Sequence, residues 1–408
     1  MPPLASFAMA EQDTPTGLGP ADYLCNTSGE IWQRRPLLAA VKKTIRLTTI
    51  ARGLLNAGHI QRAGKQQKIL RPGSTGILIL PGMESLQRRT LRVPTIVTLS
   101  SIPSRFRLIG PTLASLLSQS LQPQEIRLYI PEKYRRFPDW DGTLPEVPSG
   151  IDIHRCEYDY GPATKILPAA RDMSGKDVDI LFCDDDKIYD RNWHARFKSQ
   201  AAARPGTCIV EVGESFPDIA DSHRPADRLP RGRKKRKGFV YRLKRILCLY
   251  RYKPNLHSTG YVDQISGYAG GLVRPEWFDA LFFDIPEIMW TVDDPWISGH
   301  LERVGVPIWM NAQPRVPMNS GEVGKIDALL ALMETGHDRV DADLLVIDYF
   351  RREYGIWARR GPIDRNIEHL TKSMRELARR SLAAIEDDRH ARPSIQANSS
   401  PPGTPESA

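Results

Sequence analysis

The chain has 408 residues, of which 41% are hydrophobic and 26% charged, with 30 Gly and 33 Pro. This composition excludes collagen, coiled coil and wholesale disorder, and no apolar run reaches the roughly 18–20 residues of a membrane helix. The net charge of +9 is local: residues 231–253, RGRKKRKGFVYRLKRILCLYRYK, hold eleven Lys and Arg and no acid, so the remainder of the chain is slightly acidic.

Residues 1–30 are rich in Pro, Gly, Thr and Ser and read as disordered. They carry no basic segment followed by a long apolar stretch, as a secretory signal would. Residues 31–90 read as a basic amphipathic helical extension. Within them, 36–64 space Leu, Val and Ile three to four apart among Lys and Arg. Such an arm packs on the rest of the chain or lies on a membrane surface.

The texture changes at Val93, and residues 91–318 read as one α/β region. PTIVTLSSIP is a buried strand ended by proline. RLIGPTLASLLSQSL is a helix with an apolar stripe at Leu108, Leu113, Leu116 and Leu117. EIRLYIP and GIDIHRCEYD are strands, ATKILPAARDM a helical turn, and DVDILFCDDD a strand running into three carboxylates. TCIVEVG adds another strand before a basic insertion at 228–256. GYAGGLVRPEWF turns through glycines into a short helix, VDDPWISGHLERVG is a capped helix, and VPIWMNA a strand. Residues 319–388 are helical in pattern, and 389–408 form a disordered tail. Alternating strands and helices predict an α/β fold with a sheet parallel at least in part. The five cysteines, Cys25, Cys156, Cys183, Cys208 and Cys248, are scattered and form neither a disulfide framework nor a zinc motif, which suits a reducing cytoplasm.

Asp184, Asp185 and Asp186 follow the apolar run ILFC directly. In open α/β sheets ligands bind beyond the carboxyl ends of the strands. Three adjacent carboxylates there repel one another, and a divalent cation relieves the repulsion. Oxygen-only ligands suit Mg²⁺ or Mn²⁺, with water and substrate phosphate completing the shell. In an extended chain Asp184 and Asp186 point one way and Asp185 the other.

The ordered series VTLSSIPSRF, YGPATK, LFCDDD, GYAGGLVRPEWF and WTVDDPWISGHLERVG resembles bacterial GT-A fold glycosyltransferases, similar to the family 2 group, over roughly residues 93–315. The resemblance implies a GT-A-like (Rossmann-like) mixed, mostly parallel sheet flanked by helices, with helical N- and C-terminal extensions. It also implies a nucleotide-sugar donor whose diphosphate is held by Mn²⁺ or Mg²⁺. Thr98, Pro103 and Arg105 would then hold the base and ribose, with Arg105 able to fork onto phosphate. Asp159 and Lys165 flank the YGPATK turn, with Lys165 a donor contact. Asp184 would meet ribose and metal, Asp185 the donor sugar, and Asp186 the metal.

The second acidic motif reads as a helix start, with Asp294 at the N-cap, Pro295 in the first turn and Gly305 at the end. Asp293 and the tryptophans Trp290 and Trp296 surround it, as aromatics surround sugar sites. By resemblance Asp294 is the base that deprotonates the acceptor hydroxyl, supported by Asp293, in an inverting transfer; a retaining outcome stays open, because fold alone does not fix stereochemistry. Gly270 and Gly271 suit an acceptor-side wall where backbone approaches a ligand. His300 is a metal-ligand candidate on the same predicted helix, although a lone helical His is more often structural.

The basic segment 231–253 interleaves its cations with Phe239, Tyr241, Tyr250 and Tyr252. No nucleic-acid module accompanies it, so an anionic membrane surface or polyanionic acceptor is favoured over nucleic acid. Together these features predict a cytoplasmic enzyme, peripheral at the inner membrane face, that builds surface polysaccharide on a glycan or lipid-linked acceptor. The alternatives are a nucleotidyltransferase on the same metal and nucleotide site, or a non-catalytic basic protein binding nucleic acid or another polyanion.

Overall fold

The computed structural model describes residues 94–248, 256–314, 316–321, 323–327, 338–363 and 365–391. The expectations for 1–30, for the 31–90 extension, for the tail beyond 391 and for Tyr250 and Tyr252 lie outside the described residues.

Eight strands form the central sheet: β1 Thr95–Ser100, β2 Glu125–Pro131, β3 Asp152–Cys156, β4 Asp179–Phe182, β5 Cys208–Val210, β6 Gly260–Val262, β7 Gly271–Val273 and β8 Ile308–Met310. Their order is β6-β8-β5-β7-β4-β1-β2-β3. The first four strands are mutually parallel, and β5 and β8 are parallel to each other. Strand β7 runs antiparallel between β4 and β5, and β6 runs antiparallel to β8. The helices are α1 Gly110–Leu117, α2 Leu167–Asp172, α3 Trp193–Ala203, α4 Phe239–Leu247, α5 Asp294–Arg303, α6 Arg339–Tyr354 and α7 Lys372–Ala391. The chain thus has the mixed, mostly parallel sheet flanked by helices that the resemblance implies. Among the described residues, no helix is long and apolar enough to cross a membrane.

The continuous apolar runs of β1 and β4 exist because helices cover both faces of the sheet. Alternation sends Ile96, Ile180 and Phe182 into the core shared with α5, α6 and α7. It sends Val97, Leu99 and Leu181 into the opposite core, against Leu113 and Leu116 of α1 and Trp193 and Phe197 of α3.

Two local expectations are corrected. Residues 271–273 of GYAGGLVRPEWF are not a turn into a helix but strand β7, in the middle of the sheet. A Cβ on Gly271 would sit 2.3 Å from the Phe182 ring, and Gly270 (φ +101°) packs against Trp193. These glycines allow close packing inside the sheet and do not wall an acceptor site. Within the 319–388 region the described residues hold α6 and most of α7, and α6 stops at Gly355, which adopts a left-handed conformation (φ 64°). At the second acidic motif, Asp293 takes the cap position and Asp294 is the first helical residue, with no side-chain cap bond. Gly305 does terminate α5: its N–H donates to the Glu302 carbonyl and that of Val306 to Leu301, a Schellman closure.

Candidate active site

A cavity of about 700 Å³ opens beyond the carboxyl ends of β1, β2 and β4. One wall carries Ser100, Ser101 and Pro131 from the strand ends, together with Asp184, Asp185 and Asp186. The facing wall carries Asp293 and Asp294 at the start of α5, Arg339 and Asp343 on α6, and Thr371 and Ser373 where α7 begins. The Asp-rich strand end and the Asp-Asp helix start, more than a hundred residues apart in sequence, therefore share one cleft.

Lys165 joins them. Its ammonium lies 2.5 Å from Asp184 Oδ1 and 2.7 Å from Asp293 Oδ2. Burial alone would lower this lysine's pKa, but the charges of Asp184, Asp293 and Asp294 outweigh burial and hold it above the ordinary value. Lys165 lines the cleft as expected, yet its charge is committed to carboxylates of the protein.

The two acids of the second motif are driven apart. Burial pushes Asp293 up, but Lys165 and then Arg339, 3.9 Å away, outweigh it and leave its carboxyl below the ordinary range. For Asp294, burial and the charge of Asp293 act together and raise its pKa well above that range. Asp294 Oδ1 accepts a 2.8 Å hydrogen bond from the Gly267 N–H, and no described residue hydrogen-bonds its other oxygen. A helix cap would have used this side chain; here it faces the cleft instead.

Asp185 is buried and accepts from Ser101 Oγ at 2.5 Å and from Arg105 Nη1 at 3.0 Å, while its carbonyl accepts from Thr112. Arg105 also donates through Nε to the Ile326 carbonyl, so its fork is engaged by the protein rather than open on both arms. Asp159 accepts from the backbone N–H groups of Arg135 and Gly161 and so shapes the YGPATK turn. Trp290 lines the cleft, donating from Nε1 to the Asp159 carbonyl at 2.7 Å, with the Arg135 guanidinium over its ring.

Four other sequence-selected residues stand apart from the cleft lining. Thr98 lies inside β1, fully buried. Pro103 opens a 3-10 turn, Pro103–Arg105, that positions Arg105. Trp296 is a core residue whose Nε1 donates to the Phe282 carbonyl. His300 is packed among Trp296, Phe282 and Phe350, and burial lowers its pKa to about 3. It belongs to the core and is corrected as a metal ligand.

The cleft also holds groups that were not singled out. Glu214 accepts from Thr371 at 2.8 Å and is pushed up to about 7 by burial. Asp343, bonded by Ser373, is pushed up to about 6 by burial despite Arg339. Gln264 Oε1 is buried there without a hydrogen-bond partner among the described residues. The four-residue spacing of Arg339 and Asp343 puts both on one helix face. That was the available signal for this wall.

Among the described residues, no group of three or more His, Cys, Asp or Glu is arranged to hold a metal ion. The cleft nevertheless offers an acidic oxygen set. Asp186 Oδ1 is ion-paired with the Lys187 ammonium at 2.8 Å. A Cβ on Gly324 would sit 2.5 Å from Asp186 Oδ2, so a side chain there would push the Asp186 carboxylate aside. Asp184 and Asp186 are each paired with a lysine here, so a hard cation would have to displace those ammonium groups, taking one or two protein carboxylates and completing its shell from water and substrate phosphate.

No protein-family model matches this chain, and no curated protein matches it. Among solved structures, it is similar to one described as GalNAc-T7 with UDP, GalNAc and Mn2+, at 13% identity and a TM-score of 0.32. The match covers 54% of this chain and 42% of that one, so the chain spans less than half the length of that structure.

Proposed function

We propose that this protein is a metal-dependent glycosyltransferase that moves a sugar from a nucleotide-sugar donor to a hydroxyl of a glycan or lipid-linked acceptor, with inversion. The observation that carries the reading is the cleft itself, where an Asp-rich strand end meets a buried Asp-Asp pair, one carboxyl held below the ordinary range and the other above it. Paired carboxyls pushed apart in this way are the signature of divided roles.

Asp294 is the general base. Its raised basicity suits removal of the acceptor proton as the hydroxyl oxygen bonds to the anomeric carbon. The bond from that carbon to the donor phosphate breaks, and the nucleoside diphosphate leaves with the electron pair. Asp293 stays ionised and fixes Lys165. Asp184 and Asp186 would hold Mn²⁺ or Mg²⁺, which supplies charge neutralisation for the diphosphate. Asp185 orders Ser101 and Arg105 at the donor end. Trp290 offers an aromatic edge to the acceptor. The acceptor is proposed to belong to surface polysaccharide synthesis, with the protein working in the cytoplasm.

The test is a panel of nucleotide-sugars incubated with the chain and Mn²⁺, followed by release of nucleoside diphosphate. We expect one or a few donors to be consumed, EDTA to stop the reaction, and Asp186→Ala to abolish both turnover and metal-dependent nucleotide binding. Full turnover in EDTA would remove the metal from the proposal. Release of sugar 1-phosphate instead, by attack at phosphorus, would indicate a nucleotidyltransferase.

A further inference from the structure

Helix α4 turns its apolar side to water. At about 100° per residue, Phe239, Val240, Leu243, Ile246 and Leu247 share one face spanning roughly a third of the circumference. Each is strongly exposed, from 43% for Leu243 to 78% for Phe239. Tyr241 and Arg245, on the opposite face, are half-buried. A helix on a water-soluble surface is built the other way round, with its apolar stripe on the core. The other large exposed apolar side chains among the described residues are scattered over separate elements, whereas five stand together here.

The charge around this face is equally one-sided. Lys235 and Lys237 precede the helix and Arg242 and Lys244 flank the stripe, all exposed, with no acid anywhere in 231–253. Several cations of the segment already have partners, Lys244 among them. Arg231 is buried in an ion pair with Asp263 at 2.7 Å, and Arg233 meets Asp221 at 2.5 Å. These pairs, with the short ladder of Arg233–Lys234 on His257–Ser258, fix the base of the segment to the body of the protein. What projects from that base combines an apolar stripe with flanking positive charge.

We propose that α4 is an interfacial helix that seats the protein on an anionic lipid surface. The apolar stripe enters the boundary between headgroups and acyl chains, and the flanking cations meet the lipid phosphates. A second copy of the chain would also cover an apolar stripe, but the cations on both sides of it would then face one another across the interface. Charge complementarity therefore selects the anionic surface.

The test uses the full chain and vesicles of phosphatidylcholine with or without phosphatidylglycerol, read by co-sedimentation without any sugar donor, so its outcome is independent of the proposed activity. We expect binding to the phosphatidylglycerol vesicles and little to phosphatidylcholine alone. The triple variant Phe239→Ser, Leu243→Ser, Ile246→Ser should bind at least about tenfold more weakly, a loss of about 1.4 kcal/mol. Its circular dichroism melt should match the native one, because all three replaced residues are exposed. The double variant Lys235→Ser, Lys237→Ser should lose most of the preference for phosphatidylglycerol, and added salt should mimic it. Equal sedimentation of the triple variant and the native chain would overturn the proposal. So would failure of the native chain to bind phosphatidylglycerol vesicles, or a lipid-free dimer that the triple variant abolishes.

Discussion

Asp294 sits in the first turn of α5 but is not used to cap it, and this frees a buried carboxyl for chemistry. Asp294→Asn keeps an oxygen to accept from the Gly267 N–H, so donor binding and melting temperature should hold. Turnover should drop by roughly the 10²–10⁴-fold typical of a lost general base. Activity needs the ionised carboxyl, and burial with the charge of Asp293 raises its pKa. The native kcat/KM should therefore fall on acidification with a midpoint above the ordinary carboxylate range. A flat profile, or full activity in both Asp294→Asn and Asp293→Asn, would reduce the pair to a structural feature. The acidic residues were legible in the sequence because carboxylates gathered at the end of an apolar strand have few structural uses. Thr98 was misplaced because the run TLSSIP does not say where pairing stops; the strand continues to Ser100, and Ser100 and Ser101 reach the cleft instead. The sequence carries no sign that Lys165, read as a donor contact, is paired with Asp184 and Asp293, because both are distant in sequence.

At the scale of elements, the cleft depends on how closely α5 and α6 approach. Gly299 permits it, since a Cβ there would lie 2.2 Å from the Phe350 ring. The contact holds Arg339, in the first turn of α6, near Asp293. Gly299→Ala should favour the isolated helix, yet destabilise the protein by about 1–3 kcal/mol through overpacking. It should also lower turnover by displacing the Arg339 wall. Thermal melting and steady-state rates on one preparation check both effects, and an unchanged melt would mean that the pair repacks freely. Elements with long apolar patterns, such as β1, β2 and α1, could be read from the sequence. Strands β6 and β7 could not, because each has three residues, each includes glycine, and each is defined by its neighbours in the sheet rather than by its own alternation.

Across the whole molecule, the buried acids of the cleft make stability depend on pH in an unusual sense. Glu214 and Asp343 have folded pKa values of about 7 and about 6, raised above their ordinary values by burial. A raised carboxyl contributes stability that is complete below its unfolded pKa and is lost as pH rises through the folded one. The chain should thus melt lower at pH 8 than at pH 6 from these groups. Glu214→Gln should raise the melting temperature at pH 8 by about 2–4 °C and have little effect at pH 5. An equal shift at both pH values would place the effect in packing rather than in ionisation. The net charge of +9 gave no hint of this, because it is dominated by one surface segment while the titrating acids lie inside.

The cleft walls are also separated in time. Ser100 and Ser101 leave the ribosome early, and Thr371 and Ser373 only after the intervening chain has been made. At roughly 5–20 residues per second, the delay is on the order of tens of seconds. In its later part, once β8 has been made, the sheet and its acidic strand end can be in place while the wall bearing Arg339 is still missing. A ribosome-bound chain halted before α6 should therefore hold an open acidic groove rather than a cleft. Competence to turn over substrate would then arrive late in synthesis, after the sheet that organises it has formed.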